Sequence, residues 1–72
     1  MESQNHHEKI IRLKEVKARI GLSRSTIYQW ISESKFVKPI KIGHRSVGWI
    51  ESEVNTWIQG KIEETRSSSN LD

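Results

Sequence analysis

Residues 21–31 read GLSRSTIYQWI, and the fold turns on them. Upstream, Leu13, Val16 and Ile20 recur at the i, i+3, i+7 spacing of an amphipathic helix. Gly21 follows at once, and a glycine just past the last periodic residue is a helix stop, because it takes left-handed backbone without steric cost. Two residues on, Ser23 can accept a hydrogen bond from the free N–H groups of a second helix. Helix, tight turn and new helix then fit in the spacing of a helix-turn-helix.

The second helix is expected over 24–34. Projected at about 100° per residue from Arg24, one stripe gathers Ile27, Trp30, Ile31 and Ser34, which predicts a buried face. The opposite side carries Tyr28, Ser32, Ser25 and Gln29, with Arg24 at its margin; the alternative for Tyr28 is a half-buried structural residue. These are side chains that donate and accept hydrogen bonds in fixed geometry, as the reading of base edges or phosphates requires.

Further out, Lys35 to Pro39 is a connector, since Pro39 cannot continue a helix and biases Lys38 toward extended backbone; Phe36 is expected to fold back onto the core. Ile40-Lys41-Ile42 and Val47-Gly48-Trp49 alternate about the turn chemistry of 43–46, which predicts a β-hairpin with His44 and Arg45 at an exposed tip. Ser52 is expected to cap a last helix carrying Val54, Trp57, Ile58 and Ile62, with Gly60 weakening or ending it. Toward the N-terminus, Ile10 and Ile11 suit a short strand or an ordered lead-in. Both ends lack apolar periodicity, so the expected division is a flexible tail at 1–8, a folded unit at 9–64 and a flexible tail at 65–72.

With 72 residues, 33% of them hydrophobic, and no cysteine, the chain supports one small core without disulfides or thiolate metal sites. No apolar run exceeds two residues, against about twenty for a membrane span, and no stretch resembles a signal peptide, so a soluble, cytoplasmic protein is expected. The net charge of +3 is uninformative, but its distribution is not. Residues 9–45 hold ten basic side chains against Glu15 and Glu33, whereas residues 46–72 hold five acidic side chains against Lys61 and Arg66. A basic body with an acidic C-terminal third fits one face meeting a polyanion while another faces solvent.

Two helices about a turn, a hairpin and a closing helix make a mainly α winged helix-turn-helix, and its candidate contact elements all fall in the basic segment. The segments RLKEV at 12–16, GLSRSTIYQWI at 21–31, KPIKIGHRSVGW at 38–49 and ESEVNTWI at 51–58 resemble the AlpA family of phage and prophage regulators. That family is related to excisionases and to the MerR-type winged domain. The resemblance implies a bacterial, nucleoid-associated regulator that binds double-stranded DNA and activates transcription of integrase or excision genes, with RNA polymerase or a recombinase as a further partner. It also implies that Ser23, Arg24, Ser25 and Thr26 begin the recognition helix and that Tyr28 and Gln29 form its next exposed turn. On this reading Arg24 and Gln29 reach base edges, Ser25, Thr26 and Tyr28 hold phosphates, and Lys41, His44, Arg45 and Ser46 set the wing on the backbone or in a minor groove. Two departures are Val37, where a proline often follows the aromatic and which predicts a looser connector, and Gly48, where a larger side chain is common.

Other readings compete with this one. Trp30, Trp49 and Trp57 could stack single-stranded bases, but each lies on an apolar stripe that suits core packing. The adjacent His6 and His7 lack the spacing and further ligands of a metal site, and neither a phosphate-binding glycine loop nor a catalytic constellation accompanies His44. No enzyme, cofactor or metal is therefore expected. An excisionase that bends DNA at an attachment site would carry the same fold and contacts. A protein-binding module would need apolar anchors on the exposed face of the second helix, where only Tyr28 qualifies. No heptad supports a coiled-coil dimer, so a monomer that assembles on repeated DNA sites is expected.

Overall fold

The computed structural model describes residues 8–67. Their order is β1 (Ile10–Ile11), α1 (Leu13–Ile20), α2 (Arg24–Ser32), β2 (Ile40–Lys41), β3 (Val47–Ile50) and α3 (Glu51–Ser67). Gly21 ends α1 in left-handed backbone at φ 71°, its N–H bonded to Lys17 O at 2.8 Å. Ser23 then opens α2 as expected, with Oγ accepting from the Thr26 N–H at 3.2 Å.

The hairpin is part of a larger unit. β3 lies at the centre of a three-stranded antiparallel sheet in the order β1-β3-β2. Ile10 pairs with Ile50 and Ile11 with Trp49 on one side of β3, and Ile40 pairs with Gly48 and Lys41 with Val47 on the other. The lead-in at residues 10–11 is thus a strand that fastens the wing to the start of α1. Gly48 is what permits this close pairing: a Cβ there would lie 2.5 Å from Ile10 Cγ2 and 3.1 Å from Ile11 O. The space that a larger residue would take at this position is filled here by Ile10.

The core consists of Ile11, Val16, Ile27, Phe36, Trp49 and Val54, one or more from each helix, from two strands and from the connector. Burying each of these side chains contributes about 1.5–3 kcal/mol, the main source of stability in a domain this small. The connector is held where proline would otherwise stiffen it. Trp49 Nε1 donates to Val37 O at 3.0 Å, Trp57 Nε1 donates to Lys35 O at 2.9 Å, and the Phe36 ring meets Trp57 edge-on at 4.8 Å. On the opposite side Arg19 joins α1 to α3 through Glu51 Oε2 at 2.8 Å and Asn55 Oδ1 at 3.2 Å, and along α1 to Glu15 at 3.0 Å. Glu51 first, then Glu15, favours the charged guanidinium further.

Four expectations need correction. Ser34 is not on a buried stripe; α2 stops at Ser32, and Ser34 is exposed with φ 61°. Lys35 N–H reaches back to Trp30 O at 2.7 Å and Ser34 N–H to Ile31 O at 3.0 Å, the paired bonds of a Schellman motif with serine at the position glycine usually takes. Ser52 does not cap α3, which begins one residue earlier where Glu51 N–H bonds Lys9 O at 2.7 Å; the Ser52 hydroxyl donates instead to Glu8 Oε1 at 2.8 Å. Gly60 does not end α3, which continues to Ser67 and so takes in 65–67 of the span assigned to the C-terminal tail. Tyr28, placed on the exposed face, is half-buried, its ring in a T-shaped contact with Trp49 at 6.2 Å between centres. The remaining tail residues, 1–7 and 68–72, lie outside the described residues.

Candidate nucleic-acid interface

Three parts of the fold converge on one open depression of about 320 Å³: the start of α1, the start of α2 and the wing. Arg12 and Lys14 flank Leu13 at the α1 entry, Arg24 and Tyr28 come from the first turns of α2, and Arg45 and Val47 come from the tip and return strand of the wing. Four cations thus surround a floor of Leu13, Tyr28 and Val47, with no acidic side chain in the lining. The Arg24 guanidinium lies 5.2 Å from the centre of the Tyr28 ring, which rests on Trp49, so the cation is carried on a platform continuous with the core. A concavity lined by one sign of charge over low-dielectric walls concentrates anions, and four cations around one depression suit successive phosphates.

The expected site residues fall into four groups. Arg24, Tyr28 and Arg45 are brought together in the depression. Ser25 and Gln29 are exposed on the outer side of α2, beside it but outside its lining. Lys41, His44 and Ser46 belong to the wing but not to the lining; Lys41 and His44 are exposed, whereas Ser46 is half-buried and its carbonyl closes the tip by accepting from Ile42 N–H at 2.9 Å and Gly43 N–H at 3.3 Å. Ser23 and Thr26 have structural work, since Ser23 Oγ donates to Thr26 Oγ1 at 3.0 Å while accepting from the Thr26 N–H. Gln29 Nε2 donates to Glu33 Oε2 at 3.0 Å, and Glu33 Oε1 pairs with Lys35 Nζ at 3.3 Å.

Arg12 and Lys14 are the residues sequence reasoning missed. On a helical wheel they read as the solvated side of α1, and only the pairing of β1 with β3 turns that end of the helix toward the wing. Among the described residues no group of three or more His, Cys, Asp and Glu gathers as a metal site, and no helix is long and apolar enough to cross a membrane. His6 and His7 lie outside the described residues.

A helix-turn-helix with an attached three-stranded wing, and a cationic depression where the two meet, defines a winged helix-turn-helix module. The family model described as "Prophage CP4-57 regulatory protein (AlpA)" matches residues 9–62, and the chain belongs to the AlpA family. Among curated proteins it is 42% identical over 55 residues to the "Uncharacterized protein ORF88" of Enterobacteria phage P4, a match covering 76% of this chain and 62% of the relative. It is 38% identical over 56 residues to the "DNA-binding transcriptional activator AlpA" of Escherichia coli K12, covering 69% of this chain and 80% of that protein. The chain therefore spans about three fifths of the length of the phage P4 relative. No solved structure matches it significantly.

Proposed function

We propose that the protein binds double-stranded DNA and regulates transcription, as an activator, for a phage, prophage or similar element. The observation that carries this reading is the acid-free depression in which Arg12, Lys14, Arg24 and Arg45 meet from α1, α2 and the wing. α2 enters the major groove with Arg24, Ser25 and Gln29 toward the DNA, Tyr28 holds a phosphate, and Arg45 with Lys41 and His44 sets the wing on the flanking backbone. Membership of the AlpA family, and the DNA-binding activator role named for the Escherichia coli relative, support the same class of function. The protein acts in the bacterial cytoplasm, binds as a monomer and assembles where sites repeat, with RNA polymerase as its partner at a promoter.

The test is titration of fluorescent duplexes at low salt, followed by mapping of the sites selected from fragments of the host element. Binding concentrated upstream of a promoter supports activation. Failure to bind any duplex at about 50 mM salt, where phosphate contacts are strongest, contradicts the reading.

A further inference from the structure

Gln29 carries a constraint that its exposure on α2 does not suggest. Its Nε2 donates to Glu33 Oε2 at 3.0 Å, one helical turn on, and the other Glu33 oxygen is held by Lys35 Nζ at 3.3 Å. A carboxylate offers only acceptors, so the Gln29 amide must turn its nitrogen toward Glu33; the chemistry fixes the orientation. Gln29 first, and Lys35 second, hold the Glu33 carboxyl below the usual carboxylate range, so it is ionised and acceptor-only at neutral pH. Lys35 also offsets a negative charge that would otherwise repel a phosphate backbone.

With one N–H committed to Glu33, Gln29 is left with Oε1 and a second N–H, an acceptor beside a donor. In the major groove adenine presents the complementary pair, N6–H₂ to donate and N7 to accept. Guanine presents two acceptors there, cytosine a donor alone, and thymine an acceptor beside a methyl group. We infer that Gln29, held by Glu33, reads an adenine in the major groove, with Glu33 as a positioning residue that does not itself touch the base. The inference rests on the proposed docking of α2 in that groove. Without Glu33 the amide turns freely and offers its NH₂ group to the guanine acceptors as readily, so discrimination relaxes while affinity for duplex in general persists.

The experiment selects a preferred duplex from a random library with the wild-type protein, then replaces each preferred adenine with 7-deazaadenine, which lacks the N7 acceptor, or with purine, which lacks the N6 amino group. At one position each analogue should weaken wild-type binding about 5-fold or more, and neither should weaken Gln29→Ala further. Glu33→Ala should keep its melting temperature and its affinity for random duplex, yet bring the adenine-over-guanine preference at that position close to one. Glu33→Gln, whose amide offers a donor as well as an acceptor and so no longer fixes the Gln29 amide, should relax the preference in the same direction although the side chain keeps its length. An undiminished preference in Glu33→Ala overturns the proposal, as does a cytosine preference that vanishes with Glu33, which would make the carboxylate itself the reader. Sequence-selective binding that ignores Gln29 overturns it while leaving duplex binding intact; no binding of the wild type to any duplex overturns both.

Discussion

Arg24 sits on the face of Tyr28, 5.2 Å from the ring centre, and that same ring makes a T-shaped contact with Trp49 at the heart of the core. One aromatic side chain therefore joins the hydrophobic interior to the cationic depression, which makes its two ends separable by substitution. Tyr28→Phe keeps the ring and removes the hydroxyl. Thermal stability should change by less than about 0.5 kcal/mol. Duplex affinity should fall about 5-fold if the hydroxyl holds a phosphate. Tyr28→Ala, by contrast, should cost about 3 kcal/mol of stability. Unchanged affinity in Tyr28→Phe, measured by fluorescence anisotropy, would confine Tyr28 to packing.

Neighbours on α2 should behave oppositely. Trp30 is half-buried, tilted against Trp57 with ring centres 6.2 Å apart, while Gln29 is exposed. Trp30→Ala should lose about 3 kcal/mol, a large part of the stability of a domain this size. Gln29→Ala should unfold within about 0.5 kcal/mol of wild type in urea. The reverse ranking would mean that α2 is rotated from the orientation described.

The sequence made the helix-turn-helix legible because its punctuation is chemical: Gly21 supplies a left-handed stop and Ser23 supplies a cap, and both positions hold as read. The end of α2 was illegible for the complementary reason. Ser34 adopts the backbone a glycine would announce, so nothing in the sequence marks the true stop and the stripe reads on past it. At α3 the start is fixed by a long-range bond, Glu51 N–H to Lys9 O, which no local capping rule can foresee. The depression had to be assembled from three separate stretches of the sequence, residues 12–14, 24–28 and 45–47. Arg24 and Arg45 were visible from the recognition helix and the wing, whereas Arg12 and Lys14 join them only through the registry of Ile10 and Ile11 on β3.

That serine gives a stability prediction of unusual sign. Ser34→Gly should raise stability by about 0.5–1 kcal/mol, because relief of left-handed strain exceeds the added entropy of the unfolded chain. Ser34→Val, with a branched Cβ in the same backbone, should lower it. Thermal melts of the two variants check this, and destabilisation by glycine would remove the strain argument.

Gly48 offers a matched pair. Its backbone is not left-handed, so the obstacle to a larger residue is packing: Ile10 Cγ2 would lie 2.5 Å from a Cβ, ahead of Ile11 O at 3.1 Å and Ile42 Cδ1 at 3.4 Å. Gly48→Val should cost about 1–3 kcal/mol through overpacking. Adding Ile10→Ala should recover part of that loss, a non-additivity readable in a double-mutant cycle of urea midpoints. Simple additivity of the two substitutions would show that β1 does not pack over β3 as described.

The salt dependence of duplex affinity tests the role of the cationic depression most directly. If about five phosphates are neutralised, log K should fall against log salt with a slope near −4.5 for the wild type. Arg12→Ala and Lys14→Ala should each make that slope shallower by about one unit and weaken cognate and random duplexes alike, as Arg45→Ala should if it too meets phosphate. Lys61→Ala, which removes a cation that lies on α3 over Trp57 at 5.5 Å and outside the depression, should leave the slope unchanged. Equal slopes for the wild type, Lys61→Ala and the Arg12 and Lys14 variants would contradict the assignment of this depression to the DNA backbone.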